Sequence, residues 1–137
     1  MIAVDTSALV AIVLGEPERE AFRRILRNAG KALVSTVSLV EARIVIHSRQ
    51  GQRGVVLFDG LARLPIFEAV PPNLAFLEAT YAAFVAYGRG SGHPANLNFG
   101  DLFSYALAKV RGVPLLFKGN DFVHTDLQSA TEAFGSG

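Results

Sequence analysis

Four short apolar runs, each followed by a change to helical spacing, limit this chain to few folds. They are Ile2-Ala3-Val4, Ala32-Leu33-Val34, Ile66-Phe67-Glu68-Ala69-Val70 and Val113-Pro114-Leu115-Leu116-Phe117. Each is too short for a helix and long enough for a strand buried on both faces. Strands alternating with helices pair in parallel, through crossovers that lie over the sheet. The expectation is an α/β fold with a central, mostly parallel sheet of four to five short strands. A fifth strand would be a short edge near Asp126 and Leu127.

Thr6 is placed as the N-cap of a helix over residues 8–14, which Gly15-Glu16-Pro17 breaks. A second helix, 18–28, stops at Gly30. Its Arg19, Glu20, Arg23, Arg24 and Arg27 form either a solvated, ion-paired face or a positive rim for RNA or a partner. Ser35, Thr36 and Ser38 open a helix through Leu39, Ala42, Ile46 and Arg49 that Gly51 stops. Another helix covers 53–64 and ends at Pro65. Leu74, Leu77, Tyr81, Phe84 and Val85 recur at 3.6-residue spacing and mark an amphipathic helix ending at Gly88. Residues 89–98 are a loop rich in Gly, Pro and Asn. The next helix carries Phe103, Ala106, Leu107 and Val110 up to Gly112, and the tail frays from Phe134 into Gly135-Ser136-Gly137. With no repeat and no linker, residues 1–137 read as a single domain.

The chain has 137 residues, half of them hydrophobic, enough for one core. A net charge of +1 excludes a strongly basic nucleic-acid binder but not an enzyme that acts on nucleic acid. The absence of cysteine removes disulfides, zinc–thiolate sites and thiol nucleophiles. Asp5 interrupts the first apolar run too early for a signal peptide, and no run approaches the ~20 residues of a membrane span. The expected location is cytoplasmic.

Asp5, Glu41, Asp101 and Asp121 share a placement: each follows a strand, at or near the chain's entry into a helix. Each also has a local explanation. Ser38-Leu39-Val40-Glu41 fits a capping box, and Asn98-Phe99-Gly100-Asp101 is a weaker version. Asp5 and Asp121 could each close an Asx turn. Together they say more. The strands before Asp5 and Asp121 are the most apolar, hence expected to be central and adjacent, and parallel strands present their carboxyl ends on one rim, where ligands bind. Four acids gathered there would raise one another's pKa unless a divalent cation joined them. All-oxygen ligands point to Mg²⁺ (or Mn²⁺). Such a site hydrolyses phosphodiesters by metal-activated water. No Ser–His–Asp set competes: Ser7 lacks a paired base, and His47, His93 and His124 lie in unrelated contexts. Gly88-Arg89-Gly90-Ser91-Gly92 lacks the spacing of a phosphate-binding loop.

These residues resemble the PIN-domain ribonucleases of the VapC toxin family. The matching segments are Val4-Asp5-Thr6-Ser7-Ala8-Leu9 with Gly15-Glu16-Pro17, and Ser38-Leu39-Val40-Glu41. Asn98-Phe99-Gly100-Asp101 through Ala108 follows, then Leu115 to Phe122 with Thr125-Asp126-Leu127. They occur in the family's order over nearly the whole chain. The resemblance implies a three-layer α/β/α PIN-like fold and a Mg²⁺- or Mn²⁺-dependent endoribonuclease, the toxin of a type II toxin–antitoxin module. It implies a homodimer held inactive by a VapB-type antitoxin, and the abundance of Phe and Leu suits a dimer. By position, Asp5, Glu41, Asp101 and Asp121 take the metal-site and catalytic roles. Thr6 or Ser7 would orient Asp5 or a metal-bound water, Asn120 would support Asp121, and Asp126 is either a supporting acid or a turn residue. Arg43, Arg49, Arg89 and Lys118 are candidates for drawing in RNA. The alternatives are a metal-dependent phosphatase or DNA nuclease using the same pocket, and a non-catalytic protein-binding module.

Overall fold

A computed structural model describes residues 1–135. Four parallel strands, β1 (Ile2–Val4), β2 (Ala32–Ser35), β3 (Phe67–Val70) and β4 (Leu115–Leu116), form one sheet in the order β3-β2-β1-β4. Between them come α1 (Thr6–Val13) and α2 (Arg19–Ala29), then α3 (Thr36–Ala62), then α4 (Leu74–Tyr87) and α5 (Phe99–Arg111); α6 (Ala130–Phe134) follows β4.

Strand alternation feeds two cores. Ile2, Val4, Ala32, Val34 and Leu116 pack with α1, α2, α3 and α6, while Ala3, Leu33 and Leu115 pack with α4 and α5. Helices on both faces explain why β1 and β2 are buried at every position, with no polar alternation. The architecture is therefore three-layered, α/β/α. From β1 the chain steps outward through β2 to β3, then crosses back over the sheet to place β4 on the other side of β1. The reversal makes the carboxyl ends of β1 and β4 a topological switch point, where open α/β sheets leave a crevice. Register supports the neighbourhood: Ala3 pairs with Leu115 and Val4 with Leu116, and Asp5 N–H donates to the Leu116 carbonyl at 2.9 Å.

Several local expectations change. The N-cap of α1 is Asp5, not Thr6: its side chain accepts the Ser7 N–H. The N-cap of α3 is Ser35, so Ser38 and Glu41 lie inside the helix and do not form a capping box. The two helices expected on either side of Gly51 are the halves of α3, hinged at that residue (φ 65°, ψ −157°), a conformation open to glycine. The halves close on each other where Gly54 meets Ile46 and Arg43 pairs with Asp59 at 3.0 Å. The apolar stripe of α4 faces solvent. Leu74, Leu77, Tyr81, Phe84 and Val85 are exposed, because the helix docks through Phe76, Thr80 and Ala83 instead.

The tail is more ordered than expected. Leu115 bridges to Ser129, not to Asp126 or Leu127. Phe134 lies in α6, where Arg24 and Asn28 of α2 donate to the carbonyls of Gly135 and Phe134. The expected fraying of Ser136 and Gly137 lies outside the described residues. No helix among those described is long and apolar enough to cross a membrane.

Candidate active site

The floor of the switch-point crevice is Asp5, 4% exposed. Its Oδ2 accepts the Ser7 N–H at 3.0 Å and the Ser7 hydroxyl at 2.6 Å. Ser7 Oγ in turn accepts the Lys118 N–H at 3.0 Å, so one hydroxyl ties the ends of β1 and β4 together. The other oxygen, Oδ1, is buried without a hydrogen bond. Burial pushes the Asp5 carboxyl above its usual range, opposed first by the nearby Ser104 hydroxyl and then by Ser7. Ser104 Oγ also stands 3.2 Å from Ser38 Oγ, where either hydroxyl can donate.

Thr6 serves a different acid. Its hydroxyl donates to Glu41 Oε1 at 2.6 Å, with the Ser38 carbonyl farther off at 3.3 Å. Glu41 lies flat against Gly100, where a Cβ would come 2.2 Å from Oε2. Asp101 sits in the first turn of α5 in a full capping box: Asn98 Oδ1 accepts the Asp101 N–H at 2.8 Å, and Asp101 Oδ2 accepts the Asn98 N–H at 3.0 Å. Its ordinary capping role is therefore real, and it occupies only one carboxylate oxygen.

All four acids line one cleft of about 420 Å³, with Arg49 and Lys118 at its edge. Their mutual field is visible at Asp101, whose pKa is pushed up to about 7. Burial is the main cause; the Asn98 N–H opposes it, and the charges of Asp5, Asp121 and Glu41 add to it. Among the described residues, no three acidic or imidazole side chains are grouped tightly enough to enclose an ion as they stand.

Of the basic candidates, Arg49 and Lys118 reach the cleft. Lys118 is pinned by Glu16 at 3.0 Å and Glu18 at 3.4 Å. Arg43 is spent on Asp59, and Arg89 begins the exposed loop after α4. Asn120 is exposed and does not line the cleft. Asp126 stands apart, bonded to Tyr105 and Lys109. Sequence reasoning overlooked three contributors: Ser104, one turn beyond Asp101; Gly100, whose missing side chain admits Glu41; and Glu16. The i, i+3 spacing from Asp101 would have flagged Ser104.

Without a cation, the raised pKa values have a consequence for stability. Between about 4 and about 7 the folded protein holds a proton on Asp101 that the unfolded chain has released, so this contribution is complete at low pH and is lost as pH rises towards 7. Asp5 acts in the same direction. In metal-free buffer the melting temperature should therefore fall from pH 5 to pH 8, and Asp101→Asn should flatten the slope. A wild-type melting temperature that climbs over this range contradicts the burial argument.

The pattern that defines the PIN domain matches residues 2–127. The chain is 42% identical over 126 residues to Ribonuclease VapC30 of Mycobacterium tuberculosis, covering 92% of this chain and 95% of that protein. Among solved structures, M. tuberculosis VapC20, a sarcin-ricin loop cleaving toxin, superposes with a TM-score of 0.77 at 19% identity, over 93% of this chain and 96% of that one. VapBC2 from Rickettsia felis, bound to a DNA fragment from their promoter, gives 0.75 at 12% identity, over 94% and 96%. At these identities the superpositions speak for the three-layer fold.

Proposed function

Because this chain belongs to the PIN-domain family, and within it to the VapC ribonucleases, we propose that it is an endoribonuclease toxin whose four acids hold Mg²⁺ or Mn²⁺. One observation carries this reading: Asp5 Oδ1, buried and without a donor, at the floor of a cleft that Glu16, Glu41, Asp101 and Asp121 also line. A buried carboxylate oxygen with no hydrogen bond is destabilising, and a hard cation is the partner that suits an all-oxygen set. Asp5, Asp101, Glu41 and Asp121 would hold the ion. Bound there, Mg²⁺ or Mn²⁺ would supply a Lewis acid for the phosphate oxygens and a low-pKa water.

The chain's own residues prepare the site. Ser7 fixes Asp5 by bonding Oδ2 and leaves Oδ1 without a hydrogen bond. Thr6 holds Glu41 in place. Asp101, whose carboxyl burial pushes up to about 7, would be partly protonated near neutral pH when no cation is bound. Arg49 at the edge draws in the RNA backbone. Asn120 and Asp126 would support the loop that bears Asp121.

A VapB-type antitoxin would silence the enzyme. A groove of about 360 Å³ between α2 and α3, floored by Leu26, Leu61 and Phe67 and edged by Arg19, Arg23 and Arg27, suits an amphipathic acidic segment. The exposed stripe of α4 suits a second copy of the chain, giving a cytoplasmic homodimer of single PIN domains over residues 1–137.

One set of assays tests the reading. The chain, purified alone and with its antitoxin, is given RNA, single-stranded DNA and a phosphomonoester with Mg²⁺ or Mn²⁺. RNA alone should be cut, by the free toxin only, and light scattering should give twice 14.7 kDa. Melting with Mn²⁺ should show a rise that Asp101→Asn removes. Cleavage of DNA or the phosphomonoester would favour the other hydrolases; no cleavage and no Mn²⁺ response would favour a binding module.

A further inference from the structure

Asp121 is the one acid of the four outside a helix or the end of β1. It is exposed in the loop between β4 and α6, and among the described residues no hydrogen bond or ion pair engages its carboxylate. Its position depends on how that loop is anchored.

The anchor is Asp126. Its Oδ1 accepts the Tyr105 hydroxyl at 2.5 Å, and its Oδ2 accepts Lys109 Nζ at 2.6 Å. Both donors stand on α5, and Asp101, Tyr105 and Lys109 follow one another at four-residue steps, which places them along one side of that helix. The loop is therefore clipped to the stripe that carries Asp101.

The intervening residues transmit the clip. Thr125 donates to the Phe122 carbonyl through its hydroxyl (2.7 Å) and its N–H (3.1 Å). The Val123 N–H reaches the Asn120 carbonyl at 3.4 Å. Phe122 itself is buried, its ring 5.2 Å from Phe117. Lys109, through a half-exposed ion pair, and Tyr105 hold Asp126 below the usual carboxylate range, and burial and Asp126 raise the pKa of the Tyr105 hydroxyl. Charge-assisted bonds of this kind are the stronger ones.

We propose that Asp126, clamped by Tyr105 and Lys109, is a positioning residue that sets where Asp121 stands relative to Asp101 and so tunes divalent-cation affinity without touching cation or RNA. This rests on the reading of the cleft as a cation site.

The test is a Mn²⁺ titration followed by thermal melting on the full chain, for wild type, Asp126→Asn, Tyr105→Phe and Asp121→Asn. Tyr105→Phe removes one hydroxyl and keeps the ring that packs on Tyr87, so it should fold. The Mn²⁺ concentration for a half-maximal shift should rise about tenfold in Asp126→Asn and Tyr105→Phe, as for other groups that orient a metal ligand, and should follow Asp121→Asn in direction. RNA cleavage by these two variants should recover at high Mn²⁺, with a higher apparent KM for the metal and kcat near wild type. A lower metal-free melting temperature with unchanged Mn²⁺ dependence would mean a purely structural clip and overturn the proposal alone. A wild type that ignores Mn²⁺ would overturn the cation reading and the proposal with it.

Discussion

Asp5→Asn should leave the fold standing and lower RNA cleavage by a factor on the order of 10³ or more. The two consequences separate because the carboxylate does two jobs with two oxygens. Oδ2 caps α1 through Ser7, and an amide oxygen can accept the same bonds. Oδ1 is buried without a donor, and there the amide replaces a charge with a neutral group. Since burial already pushes the Asp5 carboxyl above its ordinary range, removing the charge relieves a desolvation penalty. Melting at pH 7.5 without metal should show the variant at or above the wild-type temperature. Cleavage at wild-type rate with Mg²⁺ present would remove Asp5 from the chemistry.

Gly100→Ala should disarm the cleft from a residue with no functional group. An added Cβ would lie 2.2 Å from Glu41 Oε2 and 2.6 Å from its Cδ. The backbone of α5 is fixed by the capping box that Asn98 forms with Asp101, the residue after Gly100, whereas Glu41 is the end of a flexible side chain, so Glu41 is the group that yields. It would leave Thr6, losing the 2.6 Å bond at a cost of roughly 1.5–3 kcal/mol. Alanine in a helix returns roughly 0.5–1 kcal/mol. A modest net destabilisation and a loss of cleavage of about 10²-fold are expected. Adding Gly100→Ala to Glu41→Gln should then lower cleavage little further, because the two changes act on one group. Full additivity would mean that Gly100 acts by another route.

The alternation of short strands and helices was legible because strands buried on both faces read as unbroken apolar runs, as Ile2-Ala3-Val4 does. That the strands leading to Asp5 and Asp121 would be neighbours was legible for the same reason: the most apolar strands are the ones placed side by side. The helix starts were harder. Ser35, Thr36 and Ser38 all have cap chemistry, and the choice among them was made by tertiary partners far along the chain. Ser38 faces Ser104, and Glu41 takes its hydrogen bond from Thr6, 35 residues away. Periodicity located the apolar stripe of α4 but not its direction, since Thr80 and Ala83 let the helix approach α5 closely while the larger side chains point out. Asp126 could not be placed from its motif, because Tyr105 and Lys109 reach it only once the tail folds back. A five-residue helix such as α6 is too short for periodicity to register.

The hydroxyl of Ser7 and the amide of Lys118 are 111 positions apart in the chain, and the contact between them has a consequence in time. A protein is made from its N-terminus, and contacts between distant segments form late. Asp5, Glu41 and Asp101 therefore emerge from the ribosome as scattered acids, without β4 to bring the last of them in. The cleft closes only after Lys118 and Asp121 have been added.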